Sequence, residues 1–190
     1  MERIQVIIND RIKASIREMD FSQMNAAFVE SQKKNGSIVV DSSNSLIDFA
    51  MEELDPDDRY RESAVLSIVA FLLRNQISPN GTQDGSCTPL LKAVHRGNYT
   101  LAMLLLSAGA DPNAVDDEGY TVLISCLDGE TPMKSSVLER HEMLELLLVC
   151  GATQVLSRSG GEKGRSPISL ARLHKNELAV KVLLAYGAAE

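Results

Sequence analysis

Cysteine, histidine, aromatic residues and long apolar runs are all scarce in this chain of 190 residues, and each scarcity removes a class of protein. Three cysteines, Cys87, Cys126 and Cys150, are too few and too far apart for a disulfide framework, so all three are expected as free thiols. Together with His95, His141 and His174 they show neither C-x-x-C nor H-x-x-x-H spacing, so no metal site, no cofactor site and no Cys–His nucleophile is read from them. Eight aromatics and no Trp leave a core of Leu, Ile, Val, Ala and Met. The longest nearly apolar stretches, 64–73 and 101–110, fall well short of the roughly 20 residues that cross a bilayer. Basic residues are outnumbered, 19 against 26 acidic, for a net charge of −7. Without a dense basic patch, neither nucleic acid nor a membrane is expected as a partner. The start of the chain, residues 1–11, has its apolar run broken by charge and lacks the small-residue cleavage site of a secretory leader, which makes an intracellular, cytoplasmic address the default.

What the chain does have is a period. Thr88-Pro89-Leu90-Leu91-Lys92-Ala93-Val94-His95-Arg96-Gly97 runs into Leu104-Leu105-Leu106-Ser107-Ala108-Gly109-Ala110-Asp111-Pro112-Asn113, and Thr121-Val122-Leu123 opens a second unit 33 residues after Thr88. These segments resemble the ankyrin repeat, with its T-P-L-H-x-A opening, its L-L-x-x-G-A-D close and its 33-residue period. The third opening is Ser166-Pro167-Ile168, and an earlier, degenerate unit begins near Ser45-Leu46-Ile47. Between their two helices the first and third units carry insertions, within 53–63 and 129–139, and the hairpin before Ser166 is longer by three residues than its counterpart before Thr121.

The resemblance implies an all-α ankyrin-repeat solenoid with short β-hairpin loops, of about four repeats at 40–80, 81–114, 115–158 and 159–190. Residues 39–190 form that domain, and residues 1–38 form an N-terminal helical cap. Ile4, Ile8, Ile12 and Ile16 share one helical face in this cap, and Asp20-x-x-Gln23 reads as a capping box opening a second helix with Phe21, Met24 and Phe28 inward. Thr88, Thr121 and Ser166 are expected helix N-caps, with Pro89 and Pro167 at the first helical position. Gly109, Gly151 and Gly187 are expected to end the second helices in a left-handed conformation. The family's His after T-P-L is replaced by Asp48, Leu91, Ile124 and Ser169. Lys175 stands where Gly97 does, in the last unit, and Gln76 stands where the helix-ending glycines stand, which predicts a looser first repeat.

One stretch imitates a catalytic loop: Ser159-Gly160-Gly161-Glu162-Lys163-Gly164-Arg165-Ser166 approximates G-x-x-x-x-G-K-[ST]. Ser159 replaces the first Gly, Arg165 replaces the Lys, and Pro167 follows at once, so the lengthened hairpin is the simpler reading. The resemblance implies instead a non-catalytic protein-binding module that uses hairpin tips and first-helix ends on a concave face. Carried over position by position, the binding residues are Asp84, Cys87, His95, Arg96, Asp117, Glu118, Tyr120, Asp128, Glu162, Lys163 and Arg165. Asp41, Ser42, Asn44, Glu52 and Glu53 occupy matching places in the first unit. Tyr120 stands out as an aromatic anchor, and the acidic tips favour a protein partner with a basic surface. The insertions at 54–63 and 130–139 form a second candidate surface. Two alternatives remain open: a nucleotide-binding or enzymatic protein using loop 159–166, and a bacterial effector that binds a host protein. The oligomeric state is left open, with a monomer favoured.

Overall fold

The computed structural model describes residues 2–35, 45–53, 58–81, 87–128, 137–161 and 163–189, and among these it contains ten helices. The chain divides into two compact units, residues 1–82 and 83–190.

In the first unit α1 (Glu2–Arg17) packs against α2 (Phe21–Asn35), α3 (Leu46–Glu52) packs against α4 (Arg59–Arg74), and α1 also meets α3. The Asp20 carboxylate accepts from the Gln23 amide at 3.0 Å, and that bond holds the Asp20 pKa below its ordinary value. Ser45 caps α3 through the amides of Ile47 and Asp48, and Asp58 caps α4 through those of Tyr60 and Arg61. Ile12, Ile16, Met24 and Phe28 are buried, as their spacing predicts, and the Phe28 and Phe71 rings meet edge to face at 5.1 Å. The side chains of Ile4 and Ile8 lie outside what the structure describes. Phe21 departs from expectation and is exposed. As the first residue of α2, it has no preceding helical turn to cover it. Charge also ties α1 to α3 and its C-cap. Lys13 and Arg17 sit over the Phe49 ring at 5.7 and 4.9 Å, and Glu53 receives Arg61 at 2.8 Å and Arg17 at 3.7 Å.

In the second unit three helix pairs follow one another: α5 (Pro89–His95) with α6 (Tyr99–Ser107), α7 (Val122–Leu127) with α8 (Val137–Val149), and α9 (Pro167–Leu173) with α10 (Glu177–Ala185). The first helices form one row, α5 on α7 on α9, and the second helices form another, α6 on α8 on α10. Thr88, Thr121 and Ser166 each accept the amide of the third residue onward, at 3.2, 3.2 and 3.3 Å. Asn98 and Asn176 do the same for α6 and α10, a capping role not anticipated from the sequence. Asn113 joins neighbouring repeats: its side-chain amide donates to the Gly151 carbonyl, and its side-chain oxygen accepts from the Gln154 amide. After Gly151 the matching place is taken by Val155. It is buried with Leu156 in a run of turns over 151–157, so the longer connection folds inward on apolar side chains.

Gly109, Gly151 and Gly187 have positive φ, and so do Gln76 (65°) and Lys175 (54°) at the two positions where the sequence lacks glycine. Both turns close as glycine turns do: Ile77 N donates to Leu72 O, and Asn176 N to Ala171 O. A side chain held there costs roughly 1–2 kcal/mol. Gln76→Gly and Lys175→Gly should therefore each stabilise the protein, by about 0.5–1 kcal/mol after allowing for the freer unfolded chain. Urea unfolding checks this, and an unchanged or lowered midpoint would show that side-chain contacts outweigh the backbone cost.

Candidate functional site

The site builds outward from two hairpins of the second unit. The first closes through an antiparallel bridge between Val115 and Thr121. Within it the Asp116 carboxylate accepts the amides of Glu118 at 3.1 Å and Tyr120 at 2.8 Å, which fixes the turn and leaves Asp117 and Glu118 exposed at its tip. The second hairpin closes between Gly160 and Arg165. Gly160 N donates to Arg165 O at 3.2 Å, Arg165 N to Gly160 O at 3.1 Å, and Gly164 N to Gly161 O at 3.1 Å. These three amides serve the hairpin, whereas a phosphate-binding loop turns such amides toward its ligand. The helix that follows, α9, is only seven residues long.

The glycines of this run serve close packing. A Cβ on Gly160 would collide with the Gly119 carbonyl oxygen, and one on Gly161 would lie 3.0 Å from the Tyr120 ring. The two tips therefore meet backbone to backbone, and Tyr120 lies along the second hairpin, half-buried instead of freely exposed. Beside this contact lies a shallow cleft lined by Tyr120, Ile124, Asp128, Gly160, Gly161, Lys163, Arg165 and Leu170, of which Ile124 and Leu170 are themselves buried.

Of the residues singled out from sequence, Tyr120, Asp128, Lys163 and Arg165 are thus brought to one cleft. Asp117 and Glu118 stand at the adjoining tip. His95 and Arg96 are exposed at the end of α5 and Cys87 is half-buried ahead of it, and none of the three lines the cleft. In the first unit Glu52 is exposed, whereas Glu53 is engaged by Arg17 and Arg61, so its carboxylate works within the fold. Asp84, Glu162, Asp41, Ser42 and Asn44 lie outside the described residues, as do 54–57 and 129–136 of the two insertions. Just past those segments Tyr60 and Leu138 are 92% and 64% exposed, each in the first turn of its helix. Gly160, Gly161, Ile124 and Leu170 were missed as site residues. The glycine pair was the available signal, because adjacent glycines in a hairpin often mark a close backbone approach.

The three cysteines are free, in three environments: Cys126 buried, Cys87 half-buried, Cys150 exposed. Cys126 is wholly enclosed in α7, its sulfur 3.5 Å from the Arg140 carbonyl. Burial pushes its thiol pKa up to about 12, against a smaller opposing effect of the Arg140 charge. Among the described residues no group of three or more His, Cys, Asp or Glu is placed to hold a metal, and no helix is long and apolar enough to cross a membrane.

In the second unit, helix pairs linked by hairpins, each pair opening on a hydroxyl cap and packed on the next, define a helical-repeat protein. A family model described as ankyrin repeats, in three copies, matches residues 61–158, and the chain belongs to that family. The structure carries the pattern past the matched segment, since α9 and α10 repeat the caps and the turn of α5 and α6. No curated protein matches the chain.

Two outcomes follow. Gly160→Ala should cost about 1–3 kcal/mol in denaturant unfolding, the usual range for forced overpacking, and an unaffected midpoint would mean that the tips do not touch. Cys126 keeps its proton in the folded state above the pH at which the unfolded thiol loses it. Its contribution is therefore fully present below pH 9 and is lost as pH rises toward 12, so Cys126→Ala should flatten the alkaline fall in stability over that window. Thermal unfolding across the window tests this, and identical slopes in both proteins would refute it.

Proposed function

We propose that the protein is a non-catalytic binding module that docks a partner protein on the hairpin and first-helix side of its repeats. The residues offered for contact are Asp84, Cys87, His95, Arg96, Asp117, Glu118, Tyr120, Asp128, Glu162, Lys163 and Arg165. The observation that carries the reading is the tip at Asp116–Gly119. Asp116 is committed to the turn, while Asp117 and Glu118 have no structural duty there and project from a rigid support. A fixed pair of exposed carboxylates favours a partner with a basic surface and speeds its approach. Ankyrin repeats are in general protein-interaction modules, and the family membership supports the same reading. Three free thiols support work inside the cell, in a reducing compartment.

The charge-reversed protein Asp117→Lys/Glu118→Lys tests this. Cross-linking in a cell lysate followed by mass spectrometry should place partner cross-links near the hairpin tips of the native chain. With the partner then purified, the reversal should slow association about tenfold at low salt and much less at high salt. Unchanged association in the double variant would move the docking site to the insertion edge near Tyr60 and Leu138.

A further inference from the structure

We propose that the outward side of α6 and α8 docks a basic amphipathic helix from a partner protein. This side of the repeats is not the one that carries the hairpin tips, so docking here is independent of docking there. Apolar exposure, charge and register all point to that occupant.

Helix α6 is apolar almost all round. Leu101, Ala102 and Leu105 are buried, and on the remaining surface Tyr99 and Met103 are 38% and 47% exposed beside half-buried Leu104 and Leu106. Only Thr100 and Ser107 are polar, and no residue of the helix is charged. In a chain that is 24% charged, a surface helix of this composition presents a face suited to being covered. Its neighbour α8 continues that face. Leu138, Glu142, Glu145 and Val149 follow one another at four, three and four residues, so they form one stripe about 16 Å long, opposite buried Met143, Leu144 and Leu147. The ends of the stripe, Leu138 and Val149, are 64% and 72% exposed. Met103 and Glu145 each stand six residues before the glycine after their helix, Gly109 and Gly151, so they lie level on adjoining helices.

The charge on this face has one sign. Glu142 and Glu145 stand between the apolar ends of the stripe, and the Glu145 side chain stays 55% exposed although His141 Nε2 meets it at 3.4 Å. Arg140, the one Lys or Arg of α8, falls on the inward side with its Nε buried. Lys181 occupies the matching level of α10 and marks where the acidic face ends. A helix with Lys or Arg set among apolar residues meets these carboxylates with its charges and Leu138, Met103 and Val149 with its apolar side chains. The stripe runs along the axis of α8, beside the groove between α6 and α8, which is the bed in which a further helix packs. The long stems of its basic residues add apolar cover over α6. An anionic lipid surface or an acidic segment is repelled by the same carboxylates.

Three labelled amphipathic helical peptides of equal length, built from Leu and Lys, Leu and Glu, or Ser and Lys, are titrated with the full chain by fluorescence polarisation. The Leu/Lys peptide should bind, about tenfold more weakly at high salt than at low, while the Leu/Glu peptide should not bind and the Ser/Lys peptide should bind at least about tenfold more weakly. Glu142→Lys/Glu145→Lys and Met103→Asp/Val149→Asp should each weaken Leu/Lys binding about tenfold or more, and Asp117→Lys/Glu118→Lys should leave it unchanged. Circular dichroism confirms folding, and Glu142→Gln/Glu145→Gln or Met103→Ser/Val149→Ser replaces a variant that unfolds. Absence of Leu/Lys binding, or binding that ignores both changes on α6 and α8, would overturn the assignment and leave the hairpin reading to its own test. Binding lost only in Asp117→Lys/Glu118→Lys would overturn it in favour of the hairpin tips. A dimer of the chain in analytical ultracentrifugation, abolished by Met103→Asp/Val149→Asp, would overturn it in favour of a second copy.

Discussion

Helices of six or seven residues do not persist alone in water, and α3, α5, α7 and α9 are of that length. Everything else in the fold answers this constraint. Each of the four begins on a hydroxyl that takes up an amide the helix cannot satisfy itself, and α5 and α9 add Pro at a position where the missing N–H is harmless. Each then places most of its residues out of water: α7 is buried along its whole length, Val122 to Leu127. Such burial is possible only with a helix on either side, which is why α7 lies between α5 and α9. The same dependence explains Cys126, whose thiol pKa is raised by the layers that enclose it.

The first helices do not bury the same positions. Leu91 and Ile124 occupy equivalent positions in α5 and α7 and are buried, and the equivalent in α9 is Ser169, exposed. Val94 and Leu127 are likewise buried, and their counterpart Arg172 is exposed. The apolar stripe is thus narrower in α9 than in α5 and α7. Within the first unit, α1 and α2 bring their own apolar side chains. Ile12, Ile16, Met24 and Phe28 supply the apolar cover, and Lys13 and Arg17 over Phe49 add an amphipathic edge in which aliphatic stems pack and charged heads stay wet.

What the sequence made legible was whatever the period repeats. The hydroxyl caps, the left-handed turns and the inward position of Cys126 recur at fixed offsets, so one clear repeat locates the others. Even Gln76 and Lys175 could be marked as misfits, and both sit in the conformation that glycine would adopt. Contacts that occur once were hidden. The engagement of Glu53 by two arginines depends on α1 and α4 converging, and the exposure of Phe21 depends on its place at a helix end; neither leaves a periodic trace. The caps Asn98 and Asn176 did leave one, three residues before Leu101 and Ala179.

The glycines at 160 and 161 show how one pattern can belong to two chemistries. A Gly-rich loop ahead of a helix is what a phosphate needs, because backbone amides must come close to it. It is also what two hairpins need when their own backbones must meet. The hydrogen bonds decide between these, since the amides of Gly160, Gly164 and Arg165 close on carbonyls of the same hairpin while the bare α-carbon of Gly160 accepts the Gly119 carbonyl. That close approach is what makes a cleft at all. With a side chain at 160 the tips would part, and the Tyr120 ring would lose the surface it lies on. A glycine run that resembles a nucleotide site in one dimension is, in three, the contact at which two hairpins meet.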